Sequence, residues 1–309
     1  MDHIAVGDFD GDGRLDLALD AGSLYTLSGN GDGTLQAPVN QACVVGGPLA
    51  VADFNLDGRT DVASAATTFL GTATPPVPAI FGVLDAASDA AIVPGSWMTI
   101  NGDGFAAASE TWDQSIVNGK LPTLLDGVGV SMGGGAAIIQ AVSPCQITAE
   151  APILNSGLAA VTVSNANGTS APVNLNVAVY DPAFYVSTAP FVLATHLDYT
   201  PVESPLEVTT PAKPGEAIIL WGTGFGPTAP AAPLGVPVPA DRIYAVANPI
   251  MVSIGGVAAP VLGAALTPGF AALYQIAIQI PAIADGICPV QAAMGGALSP
   301  DWYMLMVHQ

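Results

Sequence analysis

Across 309 residues, 5 Lys and Arg stand against 25 Asp and Glu, a formal charge of −20, which excludes a protein that grips nucleic acid by neutralising phosphates. Charged residues are only 10% of the chain and hydrophobic residues 51%, a balance that excludes intrinsic disorder. With 35 Gly and 27 Pro the chain has too many helix breakers for long helices, and its length allows two to three domains.

Met1-Asp2-His3 leads into a strand-like segment with no basic and then apolar leader, so a signal peptide is expected upstream of this chain and not within it. The first motif is Ala5-Val6-Gly7-Asp8-Phe9-Asp10-Gly11-Asp12-Gly13-Arg14-Leu15-Asp16. It recurs 45 residues later as Ala50-Val51-Ala52-Asp53-Phe54-Asn55-Leu56-Asp57-Gly58-Arg59-Thr60-Asp61, a period that points to stacked β units or propeller blades. Leu15, Leu17 and Leu19 alternate with Asp16, Ala18 and Asp20, which is strand patterning. Between the copies, residues 28–34 (Ser-Gly-Asn-Gly-Asp-Gly-Thr) carry the turn chemistry of a hairpin.

Each copy reads D-x-D/N-x-D-G-x-x-D. Oxygen side chains at positions 1, 3, 5 and 9 and the carbonyl at position 7 can converge on one ion because Gly at position 6 lets the loop turn sharply. Hard oxygen donors at this density suit Ca²⁺ rather than Zn²⁺. The expected ligands are Asp8, Asp10, Asp12, Asp16 and the Arg14 carbonyl, then Asp53, Asn55, Asp57, Asp61 and the Arg59 carbonyl. The ion is expected to be structural: without it the carboxylates repel one another and the unit loosens.

A Pro-rich linker is expected over residues 73–79, after an amino-terminal unit of 1–72. Beyond it a second, longer repeat begins. Pro94-Gly95-Ser96-Trp97 through Gly104-Phe105 aligns with Pro214-Gly215-Glu216-Ala217 through Gly224-Phe225 at an offset of 120. Val130-Ser131-Met132-Gly133 aligns with Val252-Ser253-Ile254-Gly255 at 122, Gln146-Ile147 with Gln275-Ile276 at 129, and Gly157 and Val161 with Gly286 and Val290 at 129. Four blocks in one order with slowly growing offsets predict two homologous domains, 80–182 and 183–309, each with the short strands and Gly/Pro/Asn turns of an immunoglobulin-like β-sandwich.

The mean hydropathy of +0.53 raises a membrane question, and residues 243–284 carry no charge. Pro249, Pro260, Pro268 and Pro281 interrupt that stretch, and Ile250, Val252 and Ile254, like Tyr274, Ile276, Ile278 and Ile280, alternate with period two. That pattern is strand, not a spanning helix. Three cysteines, Cys43, Cys145 and Cys288, leave at least one unpaired or paired between chains and do not indicate a disulfide framework.

Catalytic candidates are sparse. Gly129-Val130-Ser131-Met132-Gly133 satisfies G-x-S-x-G, but no helix follows it and Met251 replaces the first glycine in the second copy. His3, His196 and His308 lie far apart and read as surface or loop residues, and Glu203 and Glu207, flanked by Pro201 and Pro205, as an exposed loop. No Walker A, dinucleotide fingerprint or H-E-x-x-H occurs. Trp112, with polar neighbours, is a candidate ligand contact as an exposed stacking platform, whereas Trp97, Trp221 and Trp302 read as core.

Residues 1–72 resemble FG-GAP (VCBS) repeats, the calcium-loop blades of β-propellers, through D-F-D-G-D-G-R-L-D, G-N-G-D-G-T and D-F-N-L-D-G-R-T-D. About one and a half blades are present where such propellers close with about seven, so either upstream blades are expected, which is the favoured reading, or the short repeat packs as a small calcium-held β unit on the first sandwich. Residues 80–309 resemble tandem IPT/TIG-like sandwiches at the carboxyl end of secreted bacterial proteins. Pro211-Ala212-Lys213-Pro214-Gly215-Glu216, Gly222-Thr223-Gly224-Phe225-Gly226-Pro227-Thr228 and Tyr274-Gln275-Ile276 carry that likeness, together with Ser143-Pro144 and Gln146-Ile147. Cys145 departs from the small or hydroxyl residue the pattern favours there.

These resemblances imply an all-β chain: a partial propeller-type repeat unit and two immunoglobulin-like sandwiches. They imply an extracellular or cell-surface setting and no catalytic residues, to which the acidic loops add structural Ca²⁺ and the composition and patterning add no transmembrane segment and no nucleic acid. The expected role is non-enzymatic adhesion or ligand presentation toward a protein or glycan outside the cell. The alternative is an accessory carbohydrate-binding region of an exported enzyme.

Overall fold

The computed structural model describes residues 3–43, 47–56, 58–64, 68–69, 77–85, 91–204 and 209–308. The fold is all-β, and among these residues only a 3₁₀ turn at Trp112–Gln114 is helical.

The amino-terminal unit holds two antiparallel sheets. His3–Gly7, Asp16–Asp20, Leu24–Leu27 and Val39–Ala42 form a four-stranded meander in sequence order. Ala50–Ala52, Asp61–Ala63 and Thr68–Phe69 form a three-stranded one. The acidic loops sit at equivalent corners, because Gly7 pairs with Asp16 and Ala52 with Asp61. Phe9 of the first acidic loop and Ala18 and Leu24 of the first sheet pack with Val62 of the second into one small core. In the alternating strand the inner face is carried by the positions between the leucines: Asp16, Ala18 and Asp20 are buried, and Leu15 is 69% exposed. Hydrogen bonding decides this, since the Asp16 carboxylate accepts the backbone N–H groups of Phe9 and Gly29, both at 2.8 Å, and would strand them if it faced outward.

The Pro-rich stretch at 73–76 lies outside the described residues, and Ala79 already opens the strand Ala79–Asp85. One sheet of the first sandwich runs in the order Glu110–Thr111, Ile138–Val142, Gln146–Glu150, Trp97–Asp103, Ala79–Asp85. The other runs Leu124–Leu125, Val128–Met132, Gly157–Asn165, Gly168–Thr169, with Gly135–Ala136 and Val173–Val177 paired alongside. Period-two patterning puts Met98, Ile100, Ile147, Val130, Met132, Val161 and Val163 between the sheets.

The second sandwich repeats the plan. Ala217–Thr223 pairs with Tyr274–Gln279, which pairs with Val261–Leu266. Opposite lie Met251–Ile254, Gly286–Met294 and Met304–Val307. Registers repeat along with strands: Ile100 pairs with Ile147 and Leu220 with Ile276, while Met132 pairs with Val161 and Ile254 with Val290. The Ser170 hydroxyl accepts the Val163 N–H at 3.0 Å, and the Ser299 hydroxyl accepts that of Ala292 at 2.9 Å. Ala183–Phe184 and Ala194–His196 both pair with Ala217–Thr223, so this stretch is built into the second sandwich. Trp221 is buried there as expected, but Trp302 is 43% exposed and lies against Tyr303, not within a core.

No described helix is long and apolar enough to cross a membrane.

Candidate functional site

The first acidic loop is shaped by its own carboxylates. Asp8 Oδ1 accepts the N–H groups of Gly11 (2.8 Å) and Asp12 (3.1 Å), and Asp8 Oδ2 accepts that of Gly13 (2.9 Å). Gly11 and Gly13 sit at φ +77° and +84°, where an L side chain is strained. The result brings carboxylate oxygens of Asp8, Asp10 and Asp16 within 4.8 Å of one another. Oxygens on opposite sides of a Ca²⁺ ion bound at about 2.3–2.6 Å lie about 4.6–5.2 Å apart, so these three fit that ion. Asp12 is turned elsewhere: its Oδ1 accepts the Arg14 N–H at 2.8 Å, and its Oδ2 lies 3.5 Å from the Arg14 guanidinium.

The second loop repeats the framework. Asp61, fully buried, accepts the Phe54 N–H at 2.8 Å, and Asp53 accepts the Gly58 N–H at 2.9 Å, matching Asp16 with Phe9 and Asp8 with Gly13. Asn55 belongs to the same loop, its N–H 3.4 Å from Asp61 Oδ2, and Asp57 lies outside the described residues. The two loops touch: the Arg59 guanidinium donates to the Asp10 carbonyl at 2.9 Å and the Thr60 N–H to the Asp8 carbonyl at 3.3 Å.

A disulfide joins Cys43 to Cys145, so the amino-terminal unit is covalently tied to the first sandwich. Cysteine counting did not indicate it, because the partners lie 102 residues apart in different repeats and only the fold brings their Cα atoms to 5.3 Å. Cys288 is free and buried.

The other sequence candidates fall apart as catalytic groups. Ser131 lies mid-strand between Ala136 and Thr162, on a hairpin and not on a strand-to-helix elbow. His196 ends a strand, its Nδ1 2.6 Å from Glu216 and its Nε2 3.0 Å from the Thr210 carbonyl, a clasp and not the loose surface residue expected. Burial opposes its charge, but hydrogen bonds to Glu216 and Thr210 and the charges of Glu216 and Asp198 raise its pKa overall. Glu203 is half-buried with its N–H bonded to Thr210, while Glu207 lies outside the described residues.

Trp112 is not an exposed platform. It is half-buried, edge-on to Trp97 at 5.5 Å between ring centroids, in a cleft of about 210 Å³ where the two sandwiches meet. The Trp97 indole donates to the Ala271 carbonyl of the second sandwich at 2.9 Å, and the Leu121 N–H to the Gly235 carbonyl at 2.8 Å. Nearby on the same seam Glu150 is 5% exposed, and its Oε2 has no hydrogen-bond partner among the described residues. Burial pushes its pKa up to about 7 against the opposing hydrogen bond from the Gly235 N–H. Sequence reading passed over Glu150 because a lone Glu in a strand carries no motif; its counterpart in the second repeat, Gln279, was the available signal.

Residues 8–64 match the FG-GAP-like repeat family. No curated protein matches the chain. Among solved structures the chain is similar to SGBP-B of the Bacteroides ovatus mixed-linkage glucan utilization locus, solved with a mixed-linkage heptasaccharide. The identity is 10% and the TM-score 0.34, over 81% of this chain and 51% of that one. It is also similar to domains 5–6 of the S-layer protein SbsC (12%, TM-score 0.23, 74% and 98%) and to the Yersinia pseudotuberculosis adhesin InvE (13%, TM-score 0.19, 72% and 58%). The chain thus spans about half the length of the first of these, and scores this low carry no argument about what it binds.

Proposed function

We propose that this protein is a non-enzymatic extracellular or cell-surface module, in which a calcium-held repeat unit is fastened to an IPT/TIG-like pair of sandwiches that present a binding surface. The observation that carries the reading is the Cys43–Cys145 disulfide. Such bonds persist in oxidising compartments, and this one fastens the amino-terminal unit covalently to the first sandwich. The oxygen-only cluster of Asp8, Asp10 and Asp16 supports Ca²⁺, and the repeated hydrogen-bond framework supports a second ion held by Asp53, Asn55, Asp57 and Asp61. Arg14 and Arg59 would contribute their carbonyls.

Calorimetry on the whole chain tests this. Calcium is expected to bind with measurable heat and to raise the melting temperature of the amino-terminal unit, chelator to reverse that, and dithiothreitol to lower it further. No heat of calcium uptake, together with a melting profile indifferent to both chelator and reductant, would overturn the proposal.

A further inference from the structure

We propose that the cleft between the two sandwiches, walled by Trp97, Trp112, Tyr185, Phe270 and Pro237 with the Gln140 amide at its side, is a binding site for one ring of a neutral saccharide. This deepens the ligand-presenting reading and rests on it only for the compartment in which a glycan would be met.

The duplicated fold supplies an internal comparison. Residues that the sandwich itself requires recur in both copies, as Ser170 and Ser299 do. The cleft residues do not recur: Trp97 corresponds to Ala217 and Gln140 to Leu262. The β-bulge at Gln140 is common to both, since the register shifts between Ile139 and Ala141 and again between Val261 and Gly263. A bulge re-aims the side chain it carries. In the second copy it leaves Leu262 59% exposed, whereas in the first it brings an amide into the cleft wall. The shared sandwich plan therefore explains the bulge but neither the amide nor Trp97.

The lining selects the chemistry. Four aromatic rings line the cleft, Phe270 among them at 57% exposure, and Trp97 is fixed in orientation by its hydrogen bond to Ala271. No Asp, Glu, Lys, Arg or His is among the described lining residues, so nothing compensates a charged ligand, and a molecule of net charge −20 repels anionic polymers. Apolar C–H faces with hydroxyls at the rim describe a neutral pyranose, which stacks on aromatic rings and bonds an amide. A space of about 210 Å³ takes one ring and not a run of peptide.

The test is tryptophan fluorescence of the whole chain titrated with cello-, laminari-, malto-, xylo- and manno-oligosaccharides to about 10 mM, a range that reaches millimolar affinity. A saturable change with at least one series is expected. Trp112→Ala and Gln140→Ala should each weaken it about tenfold or more, equivalent to about 1.4 kcal/mol, with the strand circular-dichroism signal retained and, for Gln140→Ala, the melting temperature unchanged. Trp302→Ala, on another surface, should leave it intact. The proposal is overturned by no saturable response to any series, by a response that survives both cleft substitutions, or by saturation of the cleft with a proline-rich peptide and with no sugar. Melting indifferent to chelator and reductant would sink the calcium scaffold without touching this titration, so the two failures are distinguishable.

Discussion

Replacing Glu150 with Gln should stabilise the protein, and by an amount that depends on pH. The carboxyl is 5% exposed at the seam, it accepts the Gly235 N–H, and burial moves its pKa from 4.5 to about 7. Ionising it therefore costs about 3 kcal/mol more in the folded protein than in the unfolded chain, at 1.36 kcal/mol per tenfold change in proton affinity. The folded protein holds this proton more tightly than the unfolded chain does, so the contribution to stability falls as pH rises from about 4.5 to about 7 and is flat above. Tyr274 also faces the carboxyl, and its own pKa is raised, first by burial and then by Glu150, so it stays neutral throughout this range. Glu150→Gln removes the ionisation and keeps an oxygen for the Gly235 N–H. The second repeat already carries this solution: Gln279 donates its amide to the Gly215 carbonyl at 3.0 Å, and Gly95, the counterpart of Gly215, lines the Glu150 pocket. Urea and thermal unfolding of both proteins between pH 4.5 and 8.5 is the assay. The difference should be near zero at pH 4.5 and should reach about 3 kcal/mol above pH 7, or about 6–12 °C for a unit of about 200 residues. A difference that is constant across this range, or a variant less stable at pH 8, would refute the reasoning.

Further outcomes follow from the same geometry. Asp16→Ala strands two backbone N–H groups, those of Phe9 and Gly29, and should cost about 2–4 kcal/mol in the amino-terminal unit, measured by its urea midpoint with calcium absent. Ser170→Ala and Ser299→Ala remove equivalent acceptors from Val163 and Ala292, so each should destabilise the joined sandwiches by about 1–2 kcal/mol, read from the urea midpoint of the whole chain. Because the folded pKa of His196 is raised, its clasp on Glu216 and Thr210 contributes stability that is complete below the ordinary histidine value and is lost as pH rises through the folded value. An NMR titration should show this raised pKa and its fall in Glu216→Gln.

Much of the molecule was legible along the chain because β patterning and turn chemistry are local. Offsets of 120, 122 and 129 read from short blocks correspond to the observed strand pairings, since a strand's inward residues repeat every second position whatever surrounds them. The acidic loops were legible for the same reason: D-x-D-x-D-G is a contiguous loop whose glycines and carboxylates fix its own shape. What spacing did not show is which carboxylates face inward, because Asp12 is drawn to Arg14 while Asp16 is held by Phe9 and Gly29.

The sequence by itself determined the strand content, the two kinds of repeat and the oxygen-rich character of the amino-terminal loops, all properties of neighbouring residues. Tertiary structure alone decided the Cys43–Cys145 bond, the Trp97–Trp112 cleft and the burial of Glu150 at the seam. These depend on groups far apart in the chain, or on different sandwiches, meeting at a distance where a bond, a ring contact or the loss of water becomes possible, and nothing in local spacing encodes that meeting.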